Sequence, residues 1–123
     1  VAGSGDYNTY GVPTVHYSTS EQVIGTWTNG KPLYETTVEV NSVAYNDWTD
    51  VFYLADADIK GYDSRTSYAQ LNNGERVQLD WFVTTSIYNR SIITNSGTKF
   101  RVETQGNNYS KIVATIQYTK TTD

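Results

Sequence analysis

The sequence predicts an all-β fold, an antiparallel β-sandwich resembling a jelly roll, and three observations support this prediction. Short runs with period-two alternation recur along the chain, and no segment shows a sustained period of 3.6 residues. Asn-Gly and Asn-Ser-Gly steps separate several runs and favour tight hairpin connections. Charged residues make up only 18% of the chain, and Thr, Ser, Asn and Tyr are abundant, as in β-rich surfaces. Two stacked antiparallel sheets fit this pattern.

Seven runs are predicted strands. The first two form a hairpin around Asn29-Gly30, where we expect the two positive φ angles of a type I′ turn. Gly25 interrupts the first run and marks a β-bulge. The run from residue 76 to 88 alternates most clearly, with Leu79 and Trp81 on one face. The predicted strands span residues 23–28, 32–40, 51–55, 76–88, 91–94, 99–103 and 111–120.

The alternation also predicts which side chains are buried. Trp27 and Trp81 lie in alternating runs, so we expect both in the core. The second face of the last run is expected to be exposed and free to pack against another chain. That face consists of Val113, Thr115, Gln117 and Thr119.

The chain of 123 residues has the length of one domain. Residues 1–13 are rich in Gly, Ser, Asn and Tyr without periodicity, and we predict a linker or stem remnant there, followed by a single β-sandwich domain over residues 14–123. The chain has no Cys, which excludes disulfides and thiolate metal sites. It has no Met even at position 1, so we expect it to be part of a longer protein.

Charge and hydropathy limit the classes of partner that we expect for this chain. The net charge of −4 and the scattered basic residues argue against nucleic acid, which needs a clustered positive surface. No apolar run approaches the length that spans a bilayer, so no membrane partner is expected. Nothing in the sequence indicates a cofactor.

Catalysis is not expected. His16 is the only histidine, and no nucleophile motif surrounds any serine. Asp56 paired with Asp58 or Asp80 would supply the two carboxylates of a glycosidase. Carboxylates of this abundance occur on any acidic surface, and we therefore predict a protein that is not an enzyme.

One segment begins like a calcium-binding loop. Asp56 and Asp58 occupy its first and third positions, but Lys60 is at the fifth and Ser67 at the twelfth, where an EF-hand needs a bidentate Glu. No metal is therefore predicted. A looser calcium site built from Asp56, Asp58 and Asp63 is the alternative that the sequence leaves open.

The segment from residue 41 to 76 combines aromatic side chains with carboxylates and Arg, much of it in predicted loop. Aromatic faces pack against the C–H surfaces of sugars, while carboxylates and Arg hydrogen-bond the hydroxyls. The alternatives are that Trp48 and Tyr53 belong to the core, or that the aromatics line an interface between chains. The candidate ligand-binding residues are Tyr45, Trp48, Asp56, Asp58, Tyr62, Asp63, Arg65 and Tyr68.

Two segments carry a resemblance to a known family. EQVIGTW at residues 21–27, followed by NGKPLY at 29–34, resembles the EQVVGTW-x-DGKPLY pattern of tail-fibre and other exposed structural proteins of bacteriophages. The final residues, TKTTD at 119–123, are similar to the closing strand of many of those proteins. Asn29 replaces the commoner Asp, and both residues suit a turn. Together the two segments cover about a quarter of the chain, at its two ends.

The resemblance implies a non-enzymatic structural adhesion domain located in a phage virion. It implies a distal tail-fibre receptor-binding domain that contacts bacterial cell-surface polysaccharide, forms a homotrimer and joins other virion proteins. Alternatives are a head-fibre or baseplate decoration protein, or a carbohydrate-binding module of a secreted bacterial enzyme. A small glycosidase is the alternative from a third class.

Overall fold

A computed structural model describes residues 18–123, and this part of the chain contains ten β-strands and no helix. The predicted linker 1–13 and His16 lie outside the described residues. Among residues 18–123, no helix has the length and hydropathy that a membrane crossing requires. The strands are β1 (Gln22–Thr26), β2 (Pro32–Val40), β3 (Asp47–Tyr53), β4 (Ala57–Tyr62), β5 (Tyr68–Leu71), β6 (Arg76–Val77), β7 (Trp81–Thr84), β8 (Ile87–Thr94), β9 (Lys99–Gln105) and β10 (Tyr109–Lys120).

The strands form two antiparallel sheets, which confirms the predicted β-sandwich. In the six-stranded sheet, β10 pairs with β2 on one side, and β1 lies beyond β2. On its other side, β10 pairs with β5 over its first half and with β4 over its second half, and β6 lies beyond β5. The four-stranded sheet has the order β3-β9-β8-β7.

The core lies between the two sheets. The Tyr118 ring on β10 contacts Phe52 on β3 with a centroid distance of 5.2 Å, and Tyr62 on β4 meets Phe100 on β9 edge-on at 5.4 Å. Burial of such apolar surface is the main term that stabilises a fold. The buried cluster comprises Val51, Ala57, Ile59, Ala69, Leu79, Phe100, Val102, Tyr109, Ile112, Ala114, Ile116 and Tyr118.

The run from residue 76 to 88 is not one strand, so that prediction was wrong. Arg76–Val77 belongs to the six-stranded sheet and Trp81–Thr84 to the four-stranded sheet. The chain crosses between the sheets at Leu79, which is fully buried. The Asp80 carboxylate fixes the crossing, because it accepts hydrogen bonds from the Ser91 amide and hydroxyl at 2.9 Å. Period-two alternation continues through a crossing and therefore does not reveal it.

Both predictions about buried tryptophans were also wrong. Trp27 and Trp81 are only half-buried, and neither belongs to the core. Trp27 lies beyond the end of the edge strand β1, and the Lys60 ammonium lies 5.0 Å from its ring. Trp81 lies on β7, the edge of the four-stranded sheet. A side chain at a sheet edge has a neighbouring strand on one side only, so alternation alone does not bury it.

The second face of β10 is covered, which corrects its predicted exposure. Thr115 is fully buried because the connection between β4 and β5 folds over it. Its hydroxyl is within 3.0 Å of the Thr37 hydroxyl and accepts a hydrogen bond from Thr66 at 2.9 Å, and its amide donates to the Ser67 hydroxyl. Val113 and Thr119 are buried as well, at 9% and 1% exposure. This face is therefore not an open surface for a neighbouring chain.

The turn between β1 and β2 differs from the predicted type I′ turn. Only Gly30 has a positive φ, of 85°, while Asn29 does not. The Gly30 amide donates to the Trp27 carbonyl at 2.9 Å, and the Asn29 side chain accepts from the Lys31 amide at 3.0 Å. A three-residue loop of this kind needs a single left-handed residue. The predicted bulge at Gly25 is confirmed by a register shift between Val23 and Gly25.

The first hairpin and the C-terminal segment hold each other through a group of side chains, here called the terminal clamp: Glu21, Tyr34, Tyr118, Lys120 and Asp123. The Glu21 carboxylate accepts hydrogen bonds from the Tyr118 hydroxyl at 2.5 Å and the Lys120 ammonium at 2.7 Å. The same ammonium lies 4.4 Å from the Tyr34 ring, and the Tyr34 hydroxyl donates to Asp123 at 2.7 Å. The two segments that carry the sequence motif are therefore direct neighbours.

Protonation in the terminal clamp follows from these contacts. Burial, together with the hydrogen bond to Glu21, raises the pKa of Tyr118 to about 12. Partial burial opposes ionisation of Glu21, but the hydrogen bonds from Lys120 and Tyr118 outweigh it and lower the pKa of this carboxyl group. The clamp therefore combines a neutral phenol with an ionised carboxylate at neutral pH.

Two glycines with the same backbone conformation test the role of local packing. Gly30 and Gly106 have φ values of +85° and +88°. An added Cβ at Gly30 meets nothing within 4 Å, whereas at Gly106 it lies 2.7 Å from the Ser86 carbonyl oxygen. We expect Gly30→Ala to lower the free energy of unfolding by about 1 kcal/mol and Gly106→Ala by about 2–4 kcal/mol, measured by urea denaturation. Equal losses of unfolding free energy in the two variants would show that the connection between β9 and β10 shifts to accommodate the added methyl group without further cost.

The raised pKa of Tyr118 predicts a loss of stability at high pH. Because the folded state holds the phenol proton more tightly than the unfolded chain, whose tyrosine pKa is about 10, this stabilisation is complete below pH 10 and is lost as pH rises through about 12. We expect the unfolding free energy to fall more steeply between about pH 10 and about pH 12 in the parent than in Tyr118→Phe. Identical pH profiles would contradict the clamp geometry, since all other titrating groups are shared.

Candidate functional site

The eight predicted site residues do not form one site. Trp48 lies on β3 in the four-stranded sheet, whereas Tyr68 lies on β5 in the six-stranded sheet. Register places the two rings on the outer faces of opposite sheets, with the core between them. Tyr45 precedes β3; Asp56, Asp58 and Tyr62 lie at or within β4; and Asp63 and Arg65 lie in the connection to β5. The segment predicted to be mostly loop thus contains β3, β4 and β5.

The three carboxylates of the open calcium alternative are engaged separately. Asp58 pairs with Lys60 at 2.9 Å, and Asp63 accepts hydrogen bonds from Arg65 at 3.1 and 3.0 Å. The Asp56 carboxylate accepts from the Thr122 hydroxyl at 2.8 Å. Within residues 18–123, no three His, Cys, Asp or Glu side chains come together in a group that could hold a metal. The looser calcium site is therefore not formed.

Tyr62 has a structural role. Its ring packs against Phe100 of the opposite sheet, and its hydroxyl donates a short hydrogen bond to Asp80 at the sheet crossing. Burial, with this hydrogen bond, raises the pKa of Tyr62 to about 12. Because both the ring and the hydroxyl are engaged, Tyr62 links the two sheets and offers little to a ligand.

Tyr68 is also occupied, by a contact within its own sheet. The Arg76 guanidinium lies 4.3 Å from the Tyr68 ring centroid. Arg76 also donates to the Gln70 side chain at 3.2 Å. This single cation–π pair is isolated from the other aromatic contacts of the described chain, and it lies on the sheet opposite Trp48.

The outer face of the four-stranded sheet gathers aromatic and charged side chains across its strands. On β9 the side chains of Phe100, Val102 and Thr104 are buried, so alternation turns the intervening Arg101 and Glu103 outward. Register aligns these outward positions with those of β3, β8 and β7. The resulting surface, here called the aromatic–arginine face, comprises Trp48, Asp50, Tyr53, Phe82, Tyr88, Arg90, Ile92, Lys99, Arg101, Glu103 and Gln105.

Two arginines from the neighbouring strands β8 and β9 converge on Trp48 of the edge strand β3. The Arg90 guanidinium lies 5.3 Å from the Trp48 ring and 5.9 Å from the Tyr88 ring, and Arg101 lies 5.1 Å from Trp48. Arg90 donates to Glu103 at 2.6 Å. Such contacts fix long cationic side chains in one geometry and align them with the rings.

The second row of the face is built in the same way. Arg101 donates to Asp50 at 2.9 Å, and the Lys99 ammonium lies 3.7 Å from the same carboxylate and 5.9 Å from the Tyr53 ring. Phe82 and Tyr53, at the two ends of the face, are 69% and 61% exposed. Exposed rings of this size, arranged on a rigid sheet, are typical of a binding surface.

An open depression of about 370 Å³ lies on this face, lined by Phe82, Thr85, Tyr88, Asn89 and Arg90. Ring surfaces form part of its wall, and the guanidinium provides hydrogen-bond donors beside them. A planar or cyclic ligand with an apolar face and polar edges fits this chemistry. A second depression, lined by Gly61, Tyr62, Ser91, Ile92, Ile93 and Phe100, is mainly apolar because its two hydroxyls already bind Asp80.

Sequence reasoning found Trp48 but missed the side chains around it. Tyr88, Arg90 and Arg101 lie outside the segment 41–76 that carried the predicted site. What identifies these residues is that aromatic and cationic side chains occupy outward positions on adjacent strands. This pattern can be recognised only once the strand order is known, because the face joins residues about 50 positions apart.

Comparison with protein-family models, with curated proteins and with solved structures found no match to this chain.

Proposed function

We propose that this domain is a non-enzymatic adhesion module of a bacteriophage virion, the distal receptor-binding part of a tail fibre, and that it binds bacterial surface glycan through the aromatic–arginine face. The observation that carries this proposal is the convergence of Arg90 and Arg101 on Trp48, beside an open depression with aromatic walls. Aromatic faces pack against sugar C–H surfaces, and aligned donors hydrogen-bond hydroxyl groups.

The assignment to a virion rests on the motif at the two ends of the chain. The terminal clamp supports it by giving a physical reason for the two motif segments to occur together: Glu21 and Tyr34 bind Tyr118, Lys120 and Asp123. The motif residues thus stabilise a module, and the binding surface lies on the other sheet. Such a division suits a shared scaffold that carries a variable recognition face.

The same face also fits two alternatives. A head-fibre or baseplate decoration protein would share the scaffold, and a carbohydrate-binding module of a secreted enzyme would share the binding mode. Neighbouring genes separate them: lysin, holin or tail genes support the virion, and a glycoside hydrolase in the same reading frame supports the module.

The experiment that tests glycan binding is a pulldown of the purified domain on cell walls from candidate hosts, with glycan-stripped walls as the control. We expect Trp48→Ala to weaken wall binding by about 1–2 kcal/mol, since an aromatic anchor is lost, while the unfolding free energy changes little. Tyr68→Ala is the matched control: it removes an aromatic–arginine contact from the opposite sheet and should leave wall binding unchanged.

Tyr62→Ala completes the series, and we expect it to destabilise the fold by about 2–4 kcal/mol because the ring packs between the sheets. Thermal melting of each variant separates folding from binding. Equal binding by Trp48→Ala and the parent would place the site away from the aromatic–arginine face. Retention on glycan-stripped walls would show that the receptor is not a glycan.

We also propose that the domain works as a homotrimer attached to other virion proteins, as the resemblance implies. Because the second face of β10 is covered, the contact surface must be another one. We expect light scattering to report a trimer, or a monomer that trimerises when its upstream stem is restored. A monomer with the natural stem attached would contradict the fibre assignment.

A further inference from the structure

The Arg90 side chain lies against two aromatic rings while its guanidinium remains in solvent. Its side chain is 60% exposed, and it lies beside both Trp48 and Tyr88. Within residues 18–123 it donates one hydrogen bond, to Glu103, although a guanidinium has five N–H donors. Its other donors have no protein acceptor in this part of the chain, and Arg90 lines the depression on this face.

Charge on the aromatic–arginine face favours an anion. The face carries three cations (Arg90, Lys99 and Arg101) against two carboxylates (Asp50 and Glu103), although the whole chain has a net charge of −4. Glu103 is 12% exposed and also accepts a hydrogen bond from Gln105 at 3.3 Å. Since Gln105 supports this carboxylate, Arg90 can turn donors toward a ligand without leaving Glu103 unpaired.

We propose that the depression binds an acidic saccharide, with its carboxylate or phosphate group on the Arg90 guanidinium and its ring against Phe82 and Tyr88. A guanidinium matches the oxygen pair of a carboxylate or phosphate better than any other side chain does. The two rings supply apolar contact for the sugar body. This inference rests on the proposed glycan-binding function and adds the ligand's charge and the residue that recognises it.

The test compares saccharides that differ only in charge. Oligogalacturonate is paired with its methyl ester, which has the same backbone without the negative charge, and phosphomannan is paired with dephosphorylated mannan. Binding is followed by NMR on the 15N-labelled domain, using the Arg90 Nε–H and Trp48 indole N–H signals. The two acidic probes separate a carboxylate from a phosphate as the recognised group.

We expect at least one acidic probe to shift both signals and its neutral partner to bind about tenfold more weakly. Arg90→Gln should weaken binding of the acidic probe about tenfold, and Arg90→Lys severalfold, because an ammonium keeps the charge but lacks the planar fork. Arg76→Gln is the matched control, since Arg76 lies on Tyr68 of the other sheet, and it should bind like the parent.

Two results would overturn the inference in distinguishable ways. If neutral and acidic partners bind equally and Arg90→Gln behaves like the parent, charge recognition is wrong while glycan binding stands. If none of the four saccharides shifts the Arg90 or Trp48 signals, the acidic-saccharide site is wrong, and the wall pulldown decides separately whether the proposed function survives. Unfolding curves of the Arg90 variants exclude loss of fold as the cause.

Discussion

The pairing of β10 is the constraint on which the rest of the structure depends. This one strand pairs with β2 along one side and with both β4 and β5 along the other, so it holds the centre of the six-stranded sheet. Its inward side chains Ile112, Ala114, Ile116 and Tyr118 form one wall of the core. The last strand is therefore central to the packing, and the terminal clamp fixes the residues that follow it against the first hairpin. The fold thus depends on contacts between segments that are far apart in the sequence.

The terminal clamp and the proposed recognition surface consequently lie on different sheets. On the six-stranded sheet, outward side chains such as Thr115 are engaged in hydroxyl contacts, and the terminal clamp engages Lys120 at the end of β10. The outward side chains of the four-stranded sheet contact one another instead: Trp48 meets Arg90 and Arg101 above a layer that is already buried. Substitutions on the aromatic–arginine face therefore remove few core contacts. A surface of this kind can vary in sequence while the scaffold remains stable.

The sequence predicted the fold class, the bounds of β2 and the bulge at Gly25, because period-two alternation and turn chemistry are local properties. It did not predict the crossing at Leu79, because alternation is the same whether a strand continues or changes sheets. The prediction that Trp27 is buried in the core was wrong for a related reason, because burial depends on which strand lies beside the side chain. The predicted site failed as a unit because residues 41–76 are continuous in sequence but lie on both sheets. Of the eight predicted site residues, only Trp48 lies on the aromatic–arginine face, where the arginines that contact it come from strands far along the chain.

The shape of the proposed site has a consequence for how adhesion would work. The depression is open, and a single guanidinium with two ring walls would cover only part of a saccharide, so one copy of the proposed site would bind weakly. Arg90 is already held by Trp48, Tyr88 and Glu103, which would lower the entropy cost of binding but would not enlarge the contact. Firm attachment to a cell surface then requires several copies that engage a repetitive polymer at once. The proposed homotrimeric fibre would supply these copies, and the proposed polysaccharide receptor would supply the matching repeats. Weak individual sites would also let the particle release and rebind along the surface, which a single tight site would prevent.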